Sequence, residues 1–132
     1  MALSQTNQDA VLSWLFGTAF PAPPAQLWLA LHGDETPTAG SEIKGWSGGN
    51  RIRVVTTDFG TITTASGGRQ RVNTRAFIFG VHTIEQAVKS FALWDATSAG
   101  NIQLIGDVNP NGVIRISDPP VFLAGDLSLR VT

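Results

Sequence analysis

Residues 90–116, SFALWDATSAGNIQLIGDVNPNGVIRI, decide the fold class. Three apolar runs stand in this stretch: Ser90 to Trp94, Ile102 to Gly106 and Val113 to Ile116. Each is too short for a stable helix and is flanked by Gly, Asn, Asp or Ser, so each reads as a short strand. Asn109-Pro110-Asn111-Gly112 is a hairpin signal, because these residues favour the backbone angles of tight turns.

The same grammar extends in both directions. Gln26 to Leu31 (QLWLAL) reads as a buried strand, and Gly33 to Gly49 as a long loop. In Arg51 to Thr57 (RIRVVTT), Ile52 and Val54 share one face, with Arg51, Arg53 and Val55 on the other. Phe59 to Thr64 either continues that strand or turns back. Ser66-Gly67-Gly68 is a turn, and Val72 to Phe79 and Leu127 to Val131 complete the set. Seven or eight short strands predict a mainly β protein, an antiparallel β-sandwich or jelly-roll-like barrel.

One helix precedes them. Over residues 4–16, Val11 and Leu15, and Leu12 and Phe16, recur at i, i+4. Ser4, Thr6 or Asn7 can cap its start, Asp9 suits the positive end of its dipole, and Gly17 ends it. Pro21, Pro23 and Pro24 forbid continuation. The apolar stripe, with Trp14 beside it, is expected to pack on the core; the alternative is docking on a neighbouring subunit. No linker divides the chain, so residues 1–132 are expected to form one domain, with helix and Pro-rich segment over 1–24 and β-sandwich over 25–132.

Composition narrows the function. The 132 residues carry a net charge of -1, which excludes a strongly basic nucleic-acid binder. Charged residues are only 14%, against roughly 25% in an ordinary soluble domain. A surface so poor in charge is expected to be partly covered by partners. There is no cysteine, hence no disulfide, thiolate nucleophile or Cys-based zinc site. The first residues lack the positive start of a signal peptide, and no apolar stretch is long enough to span a bilayer. The expectation is a soluble protein made in the cytoplasm, with neither membrane nor nucleic acid as partner.

Catalytic and cofactor patterns are missing. His32 and His82 sit in no metal-ligand spacing, and no nucleophile elbow or phosphate loop occurs. His32 lies close to Asp34 and Glu35; a solvated loop mouth is expected there rather than a metal site. Asp95, Asp107, Asp118 and Asp126 stand beside turn residues, where carboxylates bond to nearby backbone. No catalytic residue, cofactor or metal is assigned. Trp28 and Trp94 fall in apolar strands and read as core, whereas Trp46, in a Gly/Ser loop, is expected to expose its ring.

Charge is unevenly placed. Arg51, Arg53, Arg69, Arg71 and Arg75 face a single acid, Asp58, within residues 51–75, while Asp34, Glu35 and Glu42 lie in the preceding loop. Either these groups pair within one chain, or some of the arginines meet a neighbouring subunit.

The order of motifs resembles a family of small tailed-bacteriophage virion proteins, often labelled tail fibre proteins. The resemblance rests on Thr18 to Pro24 (TAFPAPP) after the helix, Leu27 to Ile43 (LWLALHGDETPTAGSEI), Trp46 to Val54 (WSGGNRIRV), Phe91 to Gln103 (FALWDATSAGNIQ) and Pro120 to Val131 (PVFLAGDLSLRV). Asn50 and Ile52 depart from its pattern, and Arg69 to Lys89 fits it least. The resemblance implies a short helix leading to a small β-sandwich, a structural place in the virion, and no chemistry.

Because no coiled coil, β-helix or collagen-like repeat supplies a fibre shaft, the sequence favours a capsid decoration or cement protein that binds the assembled head. The alternative is a tail fibre or tail-tip module that binds a host glycan. Expected partners are the chain itself, as a homotrimer, and the major capsid protein or other virion proteins. The contact candidates are the five arginines together with Trp14, Phe20 and Trp46.

Overall fold

The structure, a computed structural model, describes residues 4–20, 22–55, 57–65, 68–82, 86–114 and 120–131. It is mainly β, with one N-terminal helix, α1 (Gln5–Leu15), capped by the Ser4 hydroxyl, which accepts a bond from the Asn7 N–H. Among the described residues nine strands follow: β1 (Leu27–His32), β2 (Ile52–Val54), β3 (Thr63–Ala65), β4 (Gly68–Val72), β5 (Phe77–Ile78), β6 (Gln86–Trp94), β7 (Ile102–Ile114), β8 (Val121–Phe122) and β9 (Leu127–Val131). Seven form an antiparallel sheet in the order β2-β1-β6-β7-β9-β4-β3, and β5 pairs with β8 in a small second sheet.

Strand alternation builds the core. Leu29 and Leu31 of β1, Phe91 and Leu93 of β6 and Leu127 of β9 point to one face, where Phe77 and Phe122 of the small sheet join them. Trp28 and Ala30 point to the opposite face, with Ala92, Trp94 and Ile102. Opposite Phe91 in β7 stands Gly106; a Cβ there would lie 2.1 Å from the Phe91 ring, so only glycine lets the ring cross the strand.

Three expectations need correction. The sheet does not close into a barrel: β2 and β3 are its edges, and between them Asp58–Gly60 turns to bond with Val72–Thr74 at the end of β4. The strand expected over residues 72–79 is broken by a loop, because the Asn73 side chain is spent on the backbone of Arg75, Leu123, Gly125 and Leu127. The hairpin expected at Asn109–Gly112 is absent, since β7 runs through it. Val88 pairs with Gly112 and Ser90 with Asp107, so the intervening β7 residues bulge out opposite Lys89 alone. Pro110 lacks the N–H that regular pairing would need, and a bulge is where a strand accommodates proline. The turn expected at Ser66-Gly67-Gly68 lies largely outside the described residues, as do Asp118 and the end of the strand expected over 113–116.

Candidate functional site

The arginine-rich stretch resolves into distinct roles. Arg51 and Glu42 are both buried and form a two-pronged pair: Arg51 Nε donates to Glu42 Oε2 at 2.7 Å and Nη2 to Oε1 at 2.8 Å. Arg51 Nη1 donates to the carbonyls of Ala96 and Ala99, and the guanidinium lies 4.0 Å above the Trp94 ring. Arg75 pairs with Asp58 at 2.9 Å and lies over Phe77. Arg71 donates to the carbonyls of Gly60 and Phe59, and Arg69 to the Thr64 hydroxyl. Arg53 is exposed, and among the described residues its guanidinium has no partner. The chain itself therefore uses Arg51 and Arg75 to lock loops onto the sheet, while Arg53 and Arg69 face outward.

His32 corrects the expectation of a solvated loop mouth. It is fully buried. Trp94 Nε1 donates to His32 Nε2 at 3.3 Å, which leaves Nδ1 as the protonated nitrogen facing Ser41 Oγ at 2.9 Å. Burial pushes its pKa down from 6.5 to about 4; the Glu42 carboxylate opposes that shift and the Arg51 guanidinium adds to it. A second proton would set two N–H groups against each other, so the imidazole is a neutral structural strut.

Trp46 is also corrected: it is 5% exposed, donates from Nε1 to the Ile43 carbonyl at 2.9 Å and packs on Phe79 and His82. A Trp in a Gly/Ser loop needed only one turn of loop folding back to be buried. Trp94 is core, as expected, whereas Trp28 is only partly buried.

The helix behaves differently from the sheet. Its N-terminal end is tied to β7, where Asn7 Nδ2 donates to the Gln103 carbonyl at 2.6 Å. Its other half is bare. Leu12, Trp14 and Leu15 are more than half exposed, and Phe16 is 89% exposed. Trp14 meets Phe20 edge to face at 6.4 Å, but neither ring is covered. The expectation that this stripe joins the core is overturned. The sequence signal for the reverse was available: Asp9 is the only charged residue before Asp34, yet the segment is rich in Trp, Phe and Leu. Contiguous exposed apolar surface of this kind marks an interaction site.

Two concavities accompany the arm. A cleft of about 600 Å³ opens between the start of α1, the Glu35–Ala39 loop and Ile102 and Ile105 of β7. A groove of about 370 Å³ is lined by Leu27, Val54, Leu104 and Leu129 together with Arg53 and Arg71; pairing with Trp28 turns the Arg53 side chain towards the opposite face of the sheet, whereas Arg71, opposite Leu129, shares the face of the leucines. Sequence reasoning named the two arginines and missed the leucines, which alternation alone marks as ordinary core.

Among the described residues no cluster of three or more His, Asp or Glu is placed to hold a metal ion. Nor, among the described residues, is any helix long and apolar enough to cross a membrane. A family model described as podophage GP4 fiber I protein gp80 matches residues 2–130. No curated protein matches the chain.

Proposed function

The chain belongs to the podophage GP4 fiber I protein gp80 family, a family of phage virion structural proteins, and on that premise we propose that it is a non-enzymatic fibre component attached through its apolar arm. The observation that carries this reading is the bare half of α1, where Leu12, Leu15 and Phe16 face solvent on a folded body. A helix held at one end only, with its apolar residues uncovered, is stable in water at a cost that a partner would offset. We further propose that copies associate as a closed cyclic trimer, with Arg53 and Arg69 reaching a neighbouring subunit.

Capsid decoration is the second reading. The low charge content favours it as much as it favours a fibre role, but the family carries a fibre name. Recognition of a host glycan through Trp46 has lost its support, because a buried ring cannot stack on a sugar.

Electron microscopy of purified virions tests the proposal. Density for this fold at the tail or its fibres, in a handful of copies, is the expected result. Hundreds of copies on the head lattice would overturn the fibre reading in favour of decoration.

A further inference from the structure

The cleft beside the anchored end of α1 brings polar side chains together from three separate segments. Ile102 and Ile105 of β7 form its floor. Ile105 pairs with Ala92 and Ile102 with Trp94, so this floor lies on the outer face of the sheet, away from the main core. Gln5 from the helix, Glu35 and Thr36 from the loop after β1, and Asn101 from the turn before β7 stand around it, all exposed. Among the described residues none of these four side chains is bonded within the chain. Each wall is nevertheless fixed without them. Asn7 ties α1 to the Gln103 carbonyl. The Ser90 hydroxyl donates to the Asp34 carbonyl, and Ser41 Oγ accepts the Thr38 N–H at 2.9 Å, so the loop is pinned on both sides of Glu35 and Thr36. Asp95 accepts the Asn101 N–H at 2.8 Å and Gln103 Nε2 at 3.1 Å, which leaves the Asn101 amide out of the support. A site built this way loses little freedom when a ligand enters.

We propose that this cleft binds a neutral saccharide, its hydroxyls bonded to Gln5, Glu35, Thr36 and Asn101 and its C–H face set on Ile102 and Ile105. Three observations select that class. The volume of about 600 Å³ falls in the roughly 300–1,000 Å³ range of small-molecule sites. Glu35 is the one charged residue among those lining it, so no cation is there to receive a phosphate, a sulfate or an acidic sugar. Amides, a hydroxyl and a carboxylate offer donors and acceptors side by side, which suits groups that do both at once, as sugar hydroxyls do. The Trp94 ring reaches the cleft too, but it lies under the Arg51 guanidinium, beside His32, and is 3% exposed, so it cannot stack on a sugar ring. A single site is therefore expected to bind at about millimolar strength. Several copies on one virion would raise that by avidity. The inference goes beyond the fibre reading and leaves the arm free: the site uses the Gln5 end of α1, whereas the bare residues begin at Leu12.

Amide chemical shifts of the full-length chain, followed by NMR as sugar is added, test the site. The probes are glucose, galactose, mannose, rhamnose and N-acetylglucosamine, each to about 50 mM, with glucuronic acid as the acidic counterpart. At least one neutral sugar is expected to give saturable shifts centred on Thr36, Asn101 and Ile105, and glucuronate to bind at least ~10-fold more weakly because Glu35 repels it. Asn101→Ala and Glu35→Ala are each expected to weaken the neutral sugar at least ~5-fold while the urea midpoint stays at the wild-type value, since neither side chain supports the fold. Glu35→Gln keeps an acceptor and is expected to narrow the gap between neutral and acidic sugars. Absence of saturable shifts with all five neutral sugars overturns the inference. So do shifts centred on another face, binding that ignores both alanine variants, or glucuronate binding as tightly as the neutral sugars. Virion location is read separately: a chain found in fibres that binds none of these sugars sinks the cleft inference and leaves the fibre reading standing, whereas a sugar-binding chain found on the head does the reverse.

Discussion

The outer face of the central strands and the N-terminal helix are both aromatic, yet they meet solvent in opposite ways. On β1 and β6, Trp94 is covered by the Arg51 guanidinium, bonded to His32 and shut from water. On α1, Trp14 and Phe16 have no such cover. The difference is one of partners. The strands sit between neighbours on both sides, and a long loop returns to deliver Glu42 and Ser41 to their outer face. Among the described residues the helix packs chiefly on β7, where Asn7 in its first turns bonds to Gln103. The strand region therefore covers its own aromatic rings, whereas the arm leaves its apolar side chains uncovered.

If the strand face is self-sufficient, removing one of its polar partners should be costly. Arg51→Ala is expected to destabilise the fold by about 3–5 kcal/mol, because it leaves Glu42 buried without compensation. Urea unfolding measures this, and a loss below about 1 kcal/mol would mean that the pair is no more than a surface ornament.

Acid attacks the same region through His32. Its pKa is depressed in the folded chain, so the unfolded chain takes up the proton first as pH falls. The contribution is complete above pH 6.5 and is lost on descent towards pH 4, amounting to up to about 3 kcal/mol. Unfolding free energies of wild type and His32→Asn across that window should converge as acid is added. Parallel curves would remove His32 as the cause.

Packing gives a third lever. Gly106→Ala forces a methyl group into the Phe91 ring and is expected to cost about 1–3 kcal/mol. A smaller perturbation should touch the arm alone. Asn7→Ala removes a tether to Gln103 and is expected to loosen α1 by about 1 kcal/mol, seen as faster amide exchange in the helix with the sheet unchanged.

Much of the body was legible in sequence. Ser4, Gly17 and the prolines bracket α1 correctly, and QLWLAL and the closing LSLRV fall on β1 and β9 because apolar runs between turn residues leave few other options. What sequence hid was tertiary. Asn109–Gly112 carries the local chemistry of a turn, but pairing with β6 and β9 on either side held β7 extended and expelled the proline into a bulge. An i, i+4 stripe reports an apolar face without saying whose core it enters, and Leu12 and Phe16 stay outside this chain's own. Arginine spacing likewise gives no sign that Arg51 is buried while Arg53, two residues on along the same face, is exposed.

The central claim is that the arm contributes to assembly and not to the fold. Its most direct test is the double variant Leu12→Ser/Phe16→Ser, compared with wild type for both unfolding free energy and incorporation into virions. Exposed side chains contribute little to folding, so stability is expected to stay within about 0.5 kcal/mol of wild type while the protein disappears from virions. Incorporation at the wild-type level, or a stability loss of several kcal/mol, would contradict the account.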